Sequence, residues 1–444
     1  MGGLIMTAQI LASLSLLVFI HELGHFLAAR MFGMRVEKFF IFMDWGGKIW
    51  SKKFGETEWG IGIIPLGGYV KIAGMIDESM DKEQMKLPPQ PWEFRSKPAW
   101  QRFIVMIGGI VMNIILGIII FTFYMKVFEK QYVPNDVLAK QGIYAFEGAQ
   151  EVGLQTGDKI LAVNGSSPQR FKDINGMPVF FGSNWKVERN GQIVNVELPD
   201  TLFKSANKSL GFVLPYYHNV KVLGVGDSTG AKNGGMLAGD IITAVNGQPI
   251  LNYGTLKHDL DLNKGGKVSL QLKRGNETIN NEFDVDKNGK LGFAPGFDYK
   301  THPQNKAVNY SWGESFKFGC QEGWEAIYYN IKGFALIGKG KLSFFDSVQS
   351  PVGIAKIFGP TWNWKRFWYL TGLISFILAF MNILPIPALD GGHMVFLLVE
   401  MVRGKPFSDE FMEKSQMVGF IILVPFMLLI VGKDIYVAIR DFLF

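Results

Sequence analysis

The chain has 444 residues, 48% of them hydrophobic and 19% charged, with a formal charge of +6 and one cysteine, Cys320. Its basic residues are scattered rather than clustered and no nucleic-acid motif is present, which excludes nucleic acid as a partner and leaves a membrane as the reason for the composition. A lone cysteine excludes an internal disulfide and any cysteine-based zinc site, so metal ligands must be histidines and carboxylates.

The first apolar run, from about Leu4 to Ala29, is long enough at 1.5 Å per residue to cross a hydrocarbon core of roughly 30 Å. No basic residues precede it and no cleavage site follows it, so it reads as a retained span rather than a secretory signal. From Leu4 to Ile20 there is no ionisable side chain, and then comes His21-Glu22-Leu23-Gly24-His25. On a helix His21 and His25 lie one turn apart on one face and can share a zinc ion, while Glu22 beside them works on a bound water. A charged group in a membrane helix costs at least ~2.5 kcal/mol unless a partner or metal compensates it, so three ionisable groups clustered here point to a site. Arg30, Arg35 and Lys38 follow and place this end in the cytosol by the positive-inside tendency.

From Val36 to Ile72 the pattern is of short strands and turns. The stretch Glu58 to Val70 is apolar but too short and glycine-broken to span; it is either a soluble hairpin or a strand loop dipping into the interior beside the site. The stretch Gly60 to Tyr69, with Gly67, Gly68 and Tyr69 in it, is expected to pair with an unwound substrate as an added strand. Asp77 to Pro91 reads as a polar, proline-bearing loop. A second span covers Phe103 to Tyr124; its Gly108-Gly109 pair lets another helix approach, and Asn113 offers an amide inside the membrane.

Between the second and third spans lies an internal repeat. Gly157-Asp158-Lys159-Ile160-Leu161-Ala162-Val163-Asn164-Gly165 recurs as Gly239-Asp240-Ile241-Ile242-Thr243-Ala244-Val245-Asn246-Gly247. Each copy joins a Gly-Asp turn to an alternating strand ending in Asn-Gly, so each heads a small β-rich unit. The two units, 128–209 and 210–300, resemble PDZ domains, with Leu210-Gly211-Phe212 and Leu291-Gly292-Phe293 similar to the carboxylate-binding loop of that family. They serve either to capture peptide C-termini or as a spacer or lid. Ser311 to Phe358 is amphipathic and helical, with Trp312, Phe316, Trp324, Ile327 and Tyr328 at helical spacing. With the aromatic cluster Trp362, Trp364, Trp368 and Tyr369 it reads as outer-surface structure.

The third span, Phe367 to about Leu384, runs into Pro385-Ile386-Pro387-Ala388-Leu389-Asp390-Gly391-Gly392-His393. If successive spans alternate in direction, His21 and Asp390 reach the same cytosolic-side depth, which makes Asp390 the best third zinc ligand and His393 its rival. His218, His258 and His302 read as surface residues. A fourth span covers about Met417 to Val431.

The His21-Glu22-Leu23-Gly24-His25 motif, Ile64 to Lys71, the paired β-rich units and Asn382 through Gly391 together resemble the bacterial site-2 proteases of the RseP type, intramembrane zinc metalloproteases with tandem PDZ domains. The resemblance implies zinc held by His21, His25 and Asp390, Glu22 as the catalytic residue, and Asn382 in substrate handling. It also implies single-pass membrane substrates, either an anti-sigma factor already trimmed by another protease or a remnant signal peptide. Gly108-Gly109-Ile110 departs from the Gly-Pro common in relatives. The expected fold is a polytopic α-helical membrane protein of about four transmembrane helices, with a membrane-associated β-loop and two inserted β-rich PDZ domains. In segments this gives span one at 1–32, a cytosolic-side part with a re-entrant β-loop at 33–98, span two at 99–127, and the PDZ pair. An outer amphipathic region at 301–366, span three at 367–405, and span four with its tail at 406–444 complete the chain. The expected location is the bacterial inner membrane, with the PDZ pair periplasmic and the site near the cytosolic side, in contact with lipid. Two alternatives are a catalytically inert PDZ scaffold and a metal transporter; the transporter would need a chain of intramembrane polar residues, which the sequence does not suggest.

Overall fold

The computed structural model describes residues 2–443 apart from 66, 76–87, 130, 133, 169–170, 175, 177–178, 180, 203–211, 299–305 and 344–349. Most of the expected polar loop, the tripeptide start Leu210-Gly211 and His302 therefore lie outside the described residues. The chain divides into two compact units, one formed by Met1–Phe128 with Tyr310–Phe444 and the other by Glu129–Asn309. Among the described residues, four helices are long and apolar enough to cross a membrane: Gly2–Met31, Ala99–Phe128, Trp364–Ile383 and Glu410–Ile430.

The first unit opens with α1 (Gly2–Met31), then strands β1 (Val36–Ile41), β2 (Met43–Phe54), β3 (Thr57–Ile64) and β4 (Tyr69–Ile72), then α2 (Ala99–Phe128). The strands form one sheet in the order β2-β3-β1-β4, with β1 and β3 parallel. The short strands and turns expected from Val36 to Ile72 are strands of one small sheet, and β3 is an interior strand paired on both sides. That corrects the part of the Gly60 to Tyr69 expectation that falls on β3: an added strand joins the outer strand of a sheet, and among the described residues the outer strands are β2 and β4. The sheet docks on α1 through aromatic rings, Phe39 stacking on Trp59 at 4.3 Å with Phe19 and Phe26 edge-on to Phe39. Interdigitating rings give dispersion contact where lipid tails leave little hydrophobic driving force.

The second unit has short helices α3 (Asn135–Gln141), α4 (Glu147–Gln150), α5 (Gly230–Asn233) and α6 (Tyr253–Leu262). Strands β5 (Gln131–Tyr132) and β17 (Lys306–Ala307) pair near its two ends. Its first β-rich lobe holds β6 (Ile143–Ala145), β7 (Lys159–Val163), β8 (Ser183–Arg189), β9 (Gln192–Leu198) and β10 (Val213–Pro215). The second holds β11 (Asn219–Val225), β12 (Ile241–Val245), β13 (Gln248–Pro249), β14 (Lys267–Arg274), β15 (Glu277–Asp284) and β16 (Phe293–Asp298), ordered β15-β14-β12-β11-β16 with β13 on β12. Because β10 pairs with β6 and Phe212, Val213 and Leu214 lie in the first core, the first lobe runs on to Pro215 rather than ending at 209. A strand from the end of each lobe returns to its beginning, so the repeat in sequence does not mark the boundary.

The repeat is nonetheless repeated in space. Arg189 grips Asp158 at 2.7 and 2.8 Å and Gly153 O at 2.8 Å; Arg274 grips Asp240 at 2.7 and 2.8 Å and Gly235 O at 2.8 Å. Asn164 and Asn246 adopt left-handed φ of 50° and 48°, which asparagine tolerates in a turn. The arginines hold both aspartates by bidentate, charge-assisted bonds, so the Asp240 carboxyl titrates below its ordinary range, chiefly through Arg274.

One correction concerns His218. It is buried, tilted against the Tyr144 ring and edge-on to Phe297, with Nδ1 donating to Pro215 O at 2.9 Å and Nε2 accepting from Tyr253 N–H at 3.2 Å. It therefore sits in the junction of the two lobes; His258 is exposed as expected.

The first unit resumes with α7 (Trp312–Gly338), α8 (Pro351–Phe358), α9 (Trp364–Ile383), α10 (Asp390–Arg403) and α11 (Asp409–Leu443). Ser311 and Glu314 form a capping box at the start of α7. This helix is not a separate outer layer. Gly319 packs on Ile118 O and Thr122 of α2, and Phe334 meets Phe380 of α9, while Trp312, Phe316, Trp324 and Tyr328 are exposed. Helix α9 stops at Ile383 because Pro385 disfavours the helical conformation at Leu384, whose ψ is 141°. Ala388 then takes a left-handed φ of 83° and α10 begins at Asp390.

Candidate metal centre

Three side chains from two helices distant in sequence meet in the first unit. His21 and His25 project from one face of α1, and Asp390 enters from the first turn of α10. His21 Nε2 lies 3.2 Å from His25 Nε2 and 3.1 Å from Asp390 Oδ2, which is 3.4 Å from His25 Nε2. Bonds of 2.0–2.2 Å in a tetrahedral zinc site place ligand atoms about 3.4 Å apart, so the triangle has the size zinc requires. Asp390 Oδ2 is buried and accepts no hydrogen bond although two ring nitrogens face it, as expected of an atom meant for a cation. The donor set of two imidazoles and one carboxylate leaves a fourth position open, the pattern of hydrolytic rather than structural zinc.

Helix α2 makes room for this cluster. It crosses α1 where Gly108 and Gly24 bring the backbones together, and a Cβ on Gly109 would sit 2.5 Å from His25 Nε2 and 2.6 Å from His21 Cε1. The Gly108-Gly109 pair thus does more than let helices pack. His25 Nδ1 is 2.8 Å from Val105 O; a carbonyl only accepts, so Nδ1 carries the proton and Nε2 turns its lone pair to the cluster. Asn113 reaches His21 Nδ1 at 3.3 Å and Asn382 reaches His21 Nε2 at 3.2 Å.

Glu22 is buried beside the histidines, and a Cβ on Gly68 would lie 3.2 Å from Glu22 Cγ, 2.6 Å from Val18 Cγ1 and 2.7 Å from Phe40 O. The Gly67-Gly68 approach to the β4 edge therefore passes directly over Glu22. Tyr69 opens β4, stacked on Phe40 with its hydroxyl donating to Asp44 at 3.0 Å. The rival ligand His393 is not in the cluster; its Nε2 is 3.1 Å from the Gln416 amide of α11. An apolar cavity of about 490 Å³ lined by Phe19, Trp50, Phe54 and Trp59 lies between α1 and the sheet. Phe19 is roughly 140° round the helix from the two histidines, so this cavity is not the metal site.

Two features escaped sequence reasoning. Arg102, read only as a membrane-flanking charge, forms a largely buried ion pair with Glu400, tying the start of α2 to the helix that carries Asp390. Long-range pairs of this kind leave no spacing signal. The first unit also has separate buried polar contacts that the sequence did not suggest: the Gln9 amide donates to Gly359 O at 2.9 Å, Thr371 Oγ1 to Ser13 Oγ at 2.9 Å, and Ser375 Oγ to the backbone O of Asn113 at 2.7 Å. These are neutral groups bonded helix to helix, suited to holding spans together rather than to carrying an ion.

Residues 9–426 match the profile of peptidase family M50. The chain belongs to that family. Over 454 residues it is 28% identical to the regulator of sigma E protease of Haemophilus influenzae, covering 97% of each chain. Over 466 residues it is 28% identical to the regulator of sigma-E protease RseP of Escherichia coli, covering 96% of this chain and 97% of the relative. A Vibrio cholerae protein named "Putative zinc metalloprotease" is 26% identical over 95% of this chain and 96% of its own. Among solved structures, the PDZ domain of an SdrC-like protein from Listeria monocytogenes is similar at 25% identity, covering 18% of this chain and 88% of that one; its TM-score of 0.17 gives it no weight. This M50 peptidase is a membrane-embedded zinc metalloendopeptidase of the site-2 type, which decides against the inert-scaffold and transporter alternatives.

Proposed function

We propose that this M50 peptidase cuts single-pass membrane proteins within or near their transmembrane helix, using zinc held by His21, His25 and Asp390. The observation that carries the reading is the triangle of ligand atoms at 3.1 to 3.4 Å formed within a membrane-spanning helix and closed by a residue more than three hundred positions away. Zinc, when held there, polarises the scissile carbonyl and makes a water acidic near neutral pH. Glu22, next to His21 and buried, takes the proton from the attacking water and passes it to the leaving amine. A substrate helix hides its peptide bonds in its own hydrogen bonds, so it must unwind; β4, the outer strand of the sheet on this side, entered through Gly67 and Gly68 and opened by Tyr69, takes it as an added strand over Glu22, with Asn382 steadying it from the His21 side.

By the positive-inside tendency Arg30, Arg35, Lys97 and Arg102 put the site near the cytosolic side of a bacterial inner membrane, with the paired β-rich lobes in the periplasm as PDZ domains. In this reading the lobes act as a size filter on substrates, rather than as a capture site for peptide ends. The names of two relatives tie those proteins to the regulation of sigma E; the substrate types that the sequence resemblance implies for this chain, a trimmed anti-sigma factor and a remnant signal peptide, share the single-pass geometry. The test is co-expression with matched long and short tagged single-pass substrates, comparing wild type with Glu22→Gln. We expect wild type to cut the short form and spare the long one, and Glu22→Gln to keep zinc and cut neither, since an amide cannot accept the proton. Cleavage by Glu22→Gln at the wild-type rate would end the metallopeptidase mechanism, and equal cutting of both lengths by wild type would end the filter.

A further inference from the structure

We infer that Asn113 is a positioning residue that fixes the tautomer of His21 by presenting its amide oxygen, not its amide nitrogen, to His21 Nδ1. The inference rests on the reading of His21, His25 and Asp390 as zinc ligands. In that cluster the atoms that converge are the two Nε2 nitrogens and Asp390 Oδ2. A neutral imidazole has one ring proton, so a ligating Nε2 leaves the proton on Nδ1, which then needs an acceptor. At His25 the acceptor is Val105 O at 2.8 Å. At His21 the atom 3.3 Å from Nδ1 is the amide nitrogen Nδ2 of Asn113, a residue fully buried on α2, so presenting the oxygen requires turning this amide over.

The oxygen and nitrogen of an asparagine amide are told apart by their hydrogen bonds. With nitrogen toward His21, two N–H groups would confront each other once Nδ1 is protonated. The opposite end of the amide settles nothing, because the oxygen there has no partner among the described residues. Orientation is therefore decided at the imidazole, and the oxygen faces it.

Val105, Gly109 and Asn113 are spaced four residues apart and so form one face of α2. The middle residue leaves space for both rings, and the outer two supply one acceptor to each. A bond from Ser375 Oγ to Asn113 O at 2.7 Å holds this stretch of α2 against α9. The acceptor for His25 is backbone and no substitution removes it; that for His21 is a side chain, which makes the assignment testable. Partners that orient ligating histidines are worth about 10- to 100-fold in metal affinity.

The full-length protein in detergent micelles, loaded with Zn²⁺ alone and titrated with a graded chelator, gives the affinity without any cleavage assay. Asn113→Leu, similar in volume but without an acceptor, should hold zinc about 10- to 100-fold more weakly, while Asn113→Asp, which keeps the acceptor, should stay within about threefold of wild type. Equal weakening by both, or a Leu variant within twofold of wild type, overturns the inference. Nitrogen NMR of the zinc-loaded wild type labelled in histidine needs no variant to fold: both ligating rings should carry their proton on Nδ1, and a His21 proton on Nε2 overturns it as well. His21→Ala separates the two readings. If it keeps zinc at wild-type affinity, the ligand set itself fails; if it loses zinc while Asn113→Leu does not, only the role of Asn113 fails.

Discussion

Gly109→Ala tests the geometry of the metal centre more sharply than removal of a ligand. The new Cβ would stand 2.5 Å from His25 Nε2, 2.6 Å from His21 Cε1 and 2.8 Å from His21 Nδ1. Comfortable contact begins at about 3.5 Å, so the rings or the helix must give by roughly 1 Å. Helix α2 cannot easily withdraw, because Gly108 is already in backbone contact with Gly24. The displacement falls on the imidazoles, where a metal site tolerates about 0.2 Å. We expect zinc affinity to fall about 10- to 100-fold and cleavage by about 100-fold. Metal content would be measured after dialysis against a chelator series, and cleavage on a tagged single-pass substrate. Gly117→Ala on the same helix would press its Cβ on the Phe376 ring, at 2.7 Å, and serves as control: it should affect packing and leave zinc in place. If Gly109→Ala kept both zinc and activity, the crossing of α1 and α2 described above would be wrong.

Gly68→Ala would push on Val18, Phe40 O and Glu22 but on no ligand, so cleavage should fall while zinc content stays at the wild-type level; loss of zinc would mean that the sheet supports the metal itself. Asp390→Asn should lower both zinc content and activity, whereas His393→Ala should keep the metal because it bonds Gln416 instead; the reverse result would exchange their roles. Burial pushes the His218 imidazole down to about 4, from about 6.5 in the unfolded chain. The folded pKa is the lower one, so the stability held by neutral His218 is present above about pH 6.5 and is lost as pH falls toward 4, by about 3 kcal/mol. Pulse proteolysis in urea at both ends of that range should show a smaller acid loss in His218→Phe than in wild type; equal losses would show that His218 is protonated in the folded lobe junction.

Much of this protein was written in local pattern. Spans announce themselves because lipid requires about twenty apolar residues in a row, and a His21–His25 pair one helical turn apart is legible because the period of a helix is fixed. Asp390 could be picked as the candidate third ligand from topology alone, since alternating spans bring two chain segments to one depth; the structure has its Oδ2 3.1 Å from His21 Nε2 and His393 beside Gln416 of α11. The repeated Gly-Asp turns were equally visible, but the arginines that grip their aspartates were not, because 31 and 34 residues separate the partners and no period connects them. Tertiary structure alone decided that β3 is interior and β4 an edge, that β10 closes the first lobe, that His218 is buried, and that α7 lies against α2 and α9. Each depends on which surfaces meet, and neither hydrophobic periodicity nor composition carries that information. The same holds for Gly109 and Asn113: the sequence marks them as small and polar inside a span, and only the crossing of two helices turns one into space for two imidazoles and the other into a partner for His21.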